Sequence, residues 1–141
     1  MDYRLTFNNK YPYSPKNVDK DIVCYSLAQI DKNVELGKVK SAVEDYGWGK
    51  FHCYSVWNKQ KGDYDVSVSS CYAFFGFKYP EEVMAYARNN KHLPACFKIV
   101  ECIIPKGTRY AKGVFTNSDF EGYVSDAYII KDIICECHNI K

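Results

Sequence analysis

Alternating and β-branched hydrophobic positions dominate this chain and predict that most of it forms strands. Residues 51–57 are aromatic and β-branched, and the polar residues 58–63 are typical of a turn, so residues 64–75 are predicted to be the hairpin partner. Similar patterns predict extended segments at residues 3–7, 95–104, 108–115 and 123–137. Residues 95–104 and 127–137 are apolar runs between turn residues, and we expect them to be neighbouring central strands of one sheet.

Helical spacing of apolar residues occurs in three places. In residues 21–30 the apolar positions fit a helical stripe, although a Val-Cys-Tyr run inside them would suit a strand, and we favour the helix. Residues 33–46 repeat apolar positions at helical spacing until Gly47, which predicts a second helix. Pro80 suits a first helical position and is followed by two glutamates, so a short helix is predicted to end near Asn89.

The order of these elements predicts a single α+β domain over residues 1–141, built on a mostly antiparallel sheet with two or three helices. The length of 141 residues falls within the usual range for one domain. The composition, 47% hydrophobic and 26% charged, differs from that of disordered or fibrous chains. We therefore expect an ordinary hydrophobic core without a need for metals or disulfides.

Charge and cysteine usage narrow the function classes. Nineteen basic and seventeen acidic residues give a formal net charge of +2, so nucleic acid is not an expected partner. Residues 1–10 lack the apolar stretch of a signal peptide, and no run approaches membrane-spanning length. The seven cysteines are odd in number and follow no framework spacing. We expect free thiols, a cytoplasmic location and no membrane association.

One Cys/His cluster could in principle bind a metal. Cys135, Cys137 and His138 lie close together in the sequence, but zinc sites usually combine two Cys-x2–4-Cys or equivalent knuckles, and the chain has no second one. We therefore expect no metal. A cysteine nucleophile activated by a histidine is a further option, although no sequence context singles out one thiol.

Aromatic residues are unusually frequent, with thirteen tyrosines and eight phenylalanines. Tyrosine suits interfaces and ligand pockets, and it also suits half-buried strands. A Tyr-rich face could mediate self-association into a homo-oligomer. The aromatic cluster near residues 48–57 could form a platform for a planar ligand or belong to the core. The candidate ligand-binding residues are Trp48, His52, Tyr54, Trp57, Arg109 and Tyr110.

The segment Glu101-Cys-Ile-Ile-Pro-Lys-Gly-Thr108 resembles the acidic strand of ADP-ribosyltransferases, in which a glutamate precedes an apolar pair and a Pro-x-Gly-Thr turn. The resemblance implies that Glu101 is the catalytic carboxylate and stabilises an oxocarbenium-like transition state on NAD. It also implies that Ser69 lies in the family's Ser-Thr-Ser strand and that Arg4 is its N-terminal arginine. The chain has Ile99 where these enzymes often have Glu or Gln, and a Ser-Ser-Cys sequence without the middle Thr.

A broader pattern covers residues 97–134, including Ile-Ile-Pro-Lys-Gly-Thr-Arg-Tyr and the later Tyr-Val-Ser-Asp. It resembles small uncharacterised proteins of bacteriophages and prophages, which often bind host enzymes, defence proteins or signalling nucleotides without catalysis. Two functions remain open. We favour a small intracellular binding protein without a cofactor, which inhibits a host or defence protein or sequesters a nucleotide signal. The alternative is a reduced ADP-ribosyltransferase-like domain that uses NAD.

Overall fold

Strands make up most of the structure, a computed structural model that describes residues 4–7, 16–29, 34–41, 53–60, 62–69, 74–89, 96–115 and 119–138. The strands are β1 Arg4–Phe7, β2 Lys16–Asn17, β3 Ile22–Gln29, β4 Val39–Ser41, β5 Cys53–Asn58, β6 Asp63–Ser69, β7 Phe74–Phe77, β8 Cys96–Ile104, β9 Arg109–Phe115, β10 Glu121–Ser125 and β11 Ala127–His138. The described residues contain one helix, α1, at Pro80–Asn89. The predicted strands at 95–104 and 108–115 and the predicted helix at Pro80 are confirmed.

The eleven strands form one sheet in the order β4-β11-β8-β3-β7-β10-β9-β1-β6-β5, with β2 paired to β9. All of the strand pairs are antiparallel, which confirms the predicted sheet type. The predicted β5–β6 hairpin is present, although residues 74 and 75, which were predicted to belong to its second strand, are part of β7. β8 lies beside β11 as expected. β11 is nevertheless the second strand from an edge, because only the three-residue β4 lies beyond it.

Of the two or three helices expected, the described residues contain only α1, and the predicted helix over residues 21–30 is wrong. Residues 22–29 form β3, which pairs with β8 at eight successive positions. Cys24 and Ser26 are buried on one face of β3, while Tyr25 and Leu27 pack against a core on the other. Because a central strand buries both faces, its continuous apolar pattern imitates a helical stripe.

The second predicted helix, over residues 33–46, is also wrong for the part that the structure describes. Residues 34–38 form no helix and residues 39–41 form β4, whereas residues 42–46 lie outside the described residues. Gly37 has a left-handed backbone with φ of 76°, and its N–H donates to the carbonyl of Ile130 at 2.8 Å. This bond and the pairing of β4 with β11 hold the segment against the sheet.

The sheet carries a hydrophobic core on each face. The helix-side core consists of Phe75, Phe77, Val83, Ala87, Phe97, Ile99, Ala111, Phe115 and Val124. The second core consists of Val18, Cys24, Phe74, Val100, Cys102, Ile104, Tyr128 and Ile130. Alternate residues of β8 belong to different cores, as the pleat of a strand requires. A Cβ added at Gly122 would clash with the Phe115 ring and with the Gly76 carbonyl oxygen, so only glycine fits against this part of the aromatic packing.

Helix α1 covers only part of the helix-side face. Val83 and Ala87 are fully buried against the sheet. The backbone N–H of Tyr79 donates to the Glu82 carboxylate at 3.1 Å, which caps the start of the helix in the manner of a capping box. Glu81 and Glu82 in the first turn and Arg88 in the last complement the helix dipole. Within the described residues, no helix has the length and apolar character needed to span a membrane.

Candidate binding site

The helix-side face of β3, β8 and β11 carries three rows of side chains, because residues opposite each other in antiparallel strands point to the same side. Ile103 lies opposite Val23 and Ile129, Glu101 lies opposite Tyr25 and Asp132, and Ile99 lies opposite Leu27 and Cys135. Successive rows are about 7 Å apart along the strands. The three rows differ in character, and together they form the surface considered below as a candidate site.

The middle row is polar and is centred on Glu101. The hydroxyl of Tyr25 donates to Oε1 of Glu101 at 3.3 Å, and the ammonium of Lys131 lies 3.7 Å from Oε2. Burial raises the pKa of the Tyr25 phenol above its ordinary value, and the negative charge of Glu101 raises it further. Tyr25 therefore stays protonated at neutral pH and acts as a donor. Both carboxylate oxygens of Glu101 thus have a partner within this row, which we call the polar row.

Two irregularities in β11 bring additional side chains to this face. The register between β11 and β8 shifts between Ile130 and Asp132, and again between Ile133 and Cys135. Each shift places one extra residue, Lys131 or Ile134, opposite a single position of β8. The first brings Lys131 within reach of Glu101, and the second places Ile134 beside Cys135. Such bulges often re-aim side chains next to functional sites.

The row on one side of the polar row opens into a groove between α1 and the sheet. The groove has a volume of about 450 Å³, which lies within the range of small ligand sites. Its lining residues are Pro80, Glu81, Met84, Ala85, Arg88, Ile99, Ile134 and Cys135. Most of these side chains are apolar, with one carboxylate and one guanidinium, so the groove suits an apolar group.

The row on the other side of the polar row is aliphatic and extends over four strands. Val39 of β4 lies opposite Ile129, which is followed by Ile103 and Val23, and we call these four residues the aliphatic row. Val23 is 48% exposed and Val39 is 58% exposed, whereas Ile103 and Ile129 are half-buried. A contiguous row of β-branched residues that water reaches along its length is typical of an interaction surface.

Chemically, this arrangement is better suited to binding than to proton transfer. Apolar surface on both sides of the polar row can be buried by a partner, while Tyr25, Glu101 and Lys131 supply directional contacts. The carboxylate of Glu101 is already hydrogen-bonded and ion-paired, so a substrate group would have to displace a partner to reach it. The aliphatic row, the polar row and the groove together make up the candidate site on the helix-side face.

The structure places the three residues of the predicted catalytic set in two regions. Arg4 of β1 lies directly opposite Ser69 of β6, so these two are cross-strand neighbours, although only their backbones are described. Glu101 lies on β8, and four strands separate β8 from β1 in the sheet order. The pairing places Arg4 and Ser69 close together, whereas Glu101 is separated from both of them.

The predicted ligand-binding residues also divide between regions. Trp48 and His52 lie outside the described residues, and Tyr54 is described only at the backbone of β5. Trp57 on β5 is 55% exposed. Three strand pairings separate β5 from β9, which holds Arg109 and Tyr110.

Arg109 and Tyr110 have structural contacts at the start of β9. The guanidinium of Arg109 lies 3.4 Å from the Asp126 carboxylate, and the Asp126 N–H donates to the Arg109 carbonyl at 3.2 Å. These contacts hold the corner between β10 and β11. Tyr110 packs beside the second core, with its ring centre 6.4 Å from that of Tyr123.

The Cys/His cluster lies at the end of β11. Cys135 is exposed and lines the groove, whereas Cys137 and His138 are described only at the backbone. In the part of the chain that the structure describes, no group of three or more His, Cys, Asp or Glu side chains could hold a metal. That the whole chain is free of metal remains a prediction, and a stoichiometric zinc mass in native mass spectrometry would contradict it.

Sequence analysis did not identify most of the residues of this face. Glu81, Met84, Ala85 and Arg88 stand at positions i, i+3, i+4 and i+7, which is the spacing of one helix stripe. That stripe is the sequence signal from which the groove could have been predicted. It lies beside the stripe that contains Val83 and faces the core. The bulge that brings Lys131 to Glu101 has no signature in the local sequence.

Comparisons with protein-family models, with curated proteins and with solved structures found no match for the chain.

Proposed function

We propose that this chain is a non-catalytic binding protein that recognises a partner protein through the helix-side face. The observation that supports this most directly is the aliphatic row, whose end residues Val23 and Val39 remain about half exposed, while a groove with mostly apolar lining lies on the other side of the polar row. Burying such a surface against a partner is favourable by roughly 25 cal/mol for each Å² of apolar area. The partner class expected from the sequence, a host or defence protein in the cytoplasm, is part of this proposal.

The lining of the groove favours a protein over a nucleotide. Arg88 is the one cation among its lining residues, and Glu81 on the same stripe would repel a phosphate. Lys131, at the edge of the polar row, is engaged by Glu101. In phosphate sites several N–H or cationic donors usually point at the phosphate, whereas an apolar groove suits a hydrophobic side chain.

A second candidate function is the reduced ADP-ribosyltransferase-like domain, and the direct pairing of Arg4 with Ser69 favours it. Opposed residues of an antiparallel pair lie about 5 Å apart, as two residues of one NAD site would require. Against it stand the four strands between β1 and β8 and the two contacts that occupy Glu101. These observations lead us to prefer the binding protein.

The proposal is tested by comparing which host proteins bind to immobilised wild type and to two surface variants. Wild type is immobilised beside Val23→Lys, which places a charge in the aliphatic row, and beside Trp57→Lys as a matched control. Trp57 is similarly exposed but lies on β5, at the other end of the sheet. We expect one host protein to be captured by wild type and by Trp57→Lys, and lost with Val23→Lys.

The other outcomes contradict the proposal in different ways. Loss of capture only in Trp57→Lys would move the binding site to the aromatic platform predicted near β5. Absence of capture together with heat in a calorimetric nucleotide panel would favour sequestration of a nucleotide signal. Circular dichroism of each variant checks that the fold is retained.

A further inference from the structure

The groove has opposite charges at its two ends. Glu81 lies in the first turn of α1 and Arg88 in the last, and both line the groove. The helix rises by seven residue steps between them, which separates their Cα atoms by about 10 Å along the axis. Both side chains are exposed, and neither forms an ion pair with any residue that the structure describes. The groove is therefore a dipolar cleft with an apolar centre.

The centre of the groove is built to receive a side chain. Ile99 is 3% exposed and forms the floor, while Met84 and Ala85 on one wall face Ile134 on the other. The second bulge of β11 makes this wall wider, because it places Ile134 beside Cys135 opposite Ile99. A large apolar side chain entering here would contact aliphatic and thioether groups on several sides.

From this geometry we infer that the groove binds an extended peptide segment with a large apolar residue between a basic and an acidic residue. In an extended segment, residues two positions apart face the same side, so charges two positions before and after the apolar residue stand about 13 Å apart. Flexible side chains can adapt that span to the groove. The basic residue pairs with Glu81 and the acidic residue with Arg88. The inference rests on the proposed function and specifies what enters the site.

The probes are four peptides with blocked ends. The first, Ser-Lys-Ser-Phe-Ser-Asp-Ser, has opposite charges on either side of phenylalanine. Two others replace both charged residues with Lys or both with Asp, and the fourth replaces Phe with Ser. Because an extended peptide can enter the groove in either direction, the balance of charges is tested rather than their order.

Methionine methyl resonances provide the measurement. The chain contains two methionines, Met1 and Met84, and Met84 lines the groove. In protein labelled with ¹³C at the methionine methyl groups, the Phe ring should shift the Met84 signal. We expect the mixed-charge peptide to bind at least threefold more tightly than either like-charged peptide, and the Ser peptide to cause no shift.

Charge variants of the groove make the test specific. Glu81→Lys gives two positive ends, and the preference should then change to the peptide with two Asp residues. Arg88→Glu gives two negative ends, and the preference should change to the peptide with two Lys residues. Both positions are exposed, so the variants are expected to fold, and circular dichroism of each variant checks this.

Failure of the inference can be told apart from failure of the proposed function. If no peptide shifts Met84, or if the preference does not follow the charge variants, the inference is wrong. If the captured partner is nevertheless lost with Val23→Lys and retained with Trp57→Lys, the proposed function stands without it. If capture is also insensitive to Val23→Lys, both are wrong.

Discussion

The two faces of strand β8 are similar in composition but differ in how far their side chains are buried. On one face Val100, Cys102 and Ile104 are all buried in the second core. On the other, Phe97 and Ile99 are buried beneath α1, whereas the next two residues on that face, Glu101 and Ile103, are partly exposed. The difference arises from coverage, because α1 packs over one end of the helix-side face and leaves the other end accessible. An apolar residue in a strand therefore becomes core or binding surface according to what packs over it.

The largest expected effect comes from placing a charge on each face. Ile130→Asp would bury a carboxylate in the second core, where Ile130 is 7% exposed, and should lower the free energy of unfolding by about 3–5 kcal/mol. Ile103→Asp lies in the aliphatic row, where water reaches the side chain, and should lower it by only about 1 kcal/mol. Urea denaturation of both variants measures the difference. Equal losses would show that the aliphatic row is as well covered as the core.

A second test uses pH, because the second core contains two buried thiols. Burial raises the pKa of Cys102 to about 12, and it also raises the pKa of Cys24 well above the ordinary value. In the unfolded chain a thiol loses its proton near pH 8.5, so the folded state then holds more protons than the unfolded state. Stability is therefore unaffected below that pH and falls as pH rises towards 12, by up to about 1.4 kcal/mol per pH unit for each thiol.

The variant Cys102→Val removes one of these thiols while keeping an apolar strand residue. Between pH 7 and pH 10 it should lose about 2 kcal/mol less stability than wild type, since the wild-type thiol resists ionisation over about 1.5 pH units. Coincidence of the two curves would mean that the Cys102 thiol is accessible to water.

The sequence predicted β8 and the β5–β6 hairpin because their signals are local: each is an apolar or β-branched run between turn residues. It predicted α1 for the same reason, from Pro80 and the two glutamates that follow. It failed at β3 and at residues 34–41, where pairing with distant strands decides the structure. The eight pairs between β3 and β8 outweigh a local pattern that suits a helix.

The residues of the candidate site are harder to predict from the sequence than the strands. Resemblance draws attention to Glu101 as a catalytic carboxylate, and that role remains a prediction; the structure shows Glu101 on β8 opposite Tyr25. Its partners could not be foreseen, because Tyr25 was assigned to a helix and Lys131 depends on a bulge. Long-range register, rather than residue type, brings these three side chains together. The aliphatic row has the same origin, since its four residues come from four strands.

The smallest expected effect on stability, and the one that separates the two functions, is that of Glu101→Gln. Lys131 is 59% exposed, so its ion pair with Glu101 contributes little, and the amide oxygen of Gln can still accept from Tyr25. For a binding protein we expect a change of at most about 0.5 kcal/mol and no NAD turnover by either protein. A transferase would use the carboxylate to stabilise positive charge developing on the ribose, and Gln keeps the shape without that charge. NAD turnover and automodification are measured for wild type and variant, with calorimetric NAD titration alongside.

Lys131→Gln serves as the control, because it removes the same ion pair and keeps the carboxylate. Turnover by wild type and Lys131→Gln that is abolished in Glu101→Gln would overturn the binding-protein proposal, whereas the absence of turnover and of NAD heat in all three would exclude the transferase.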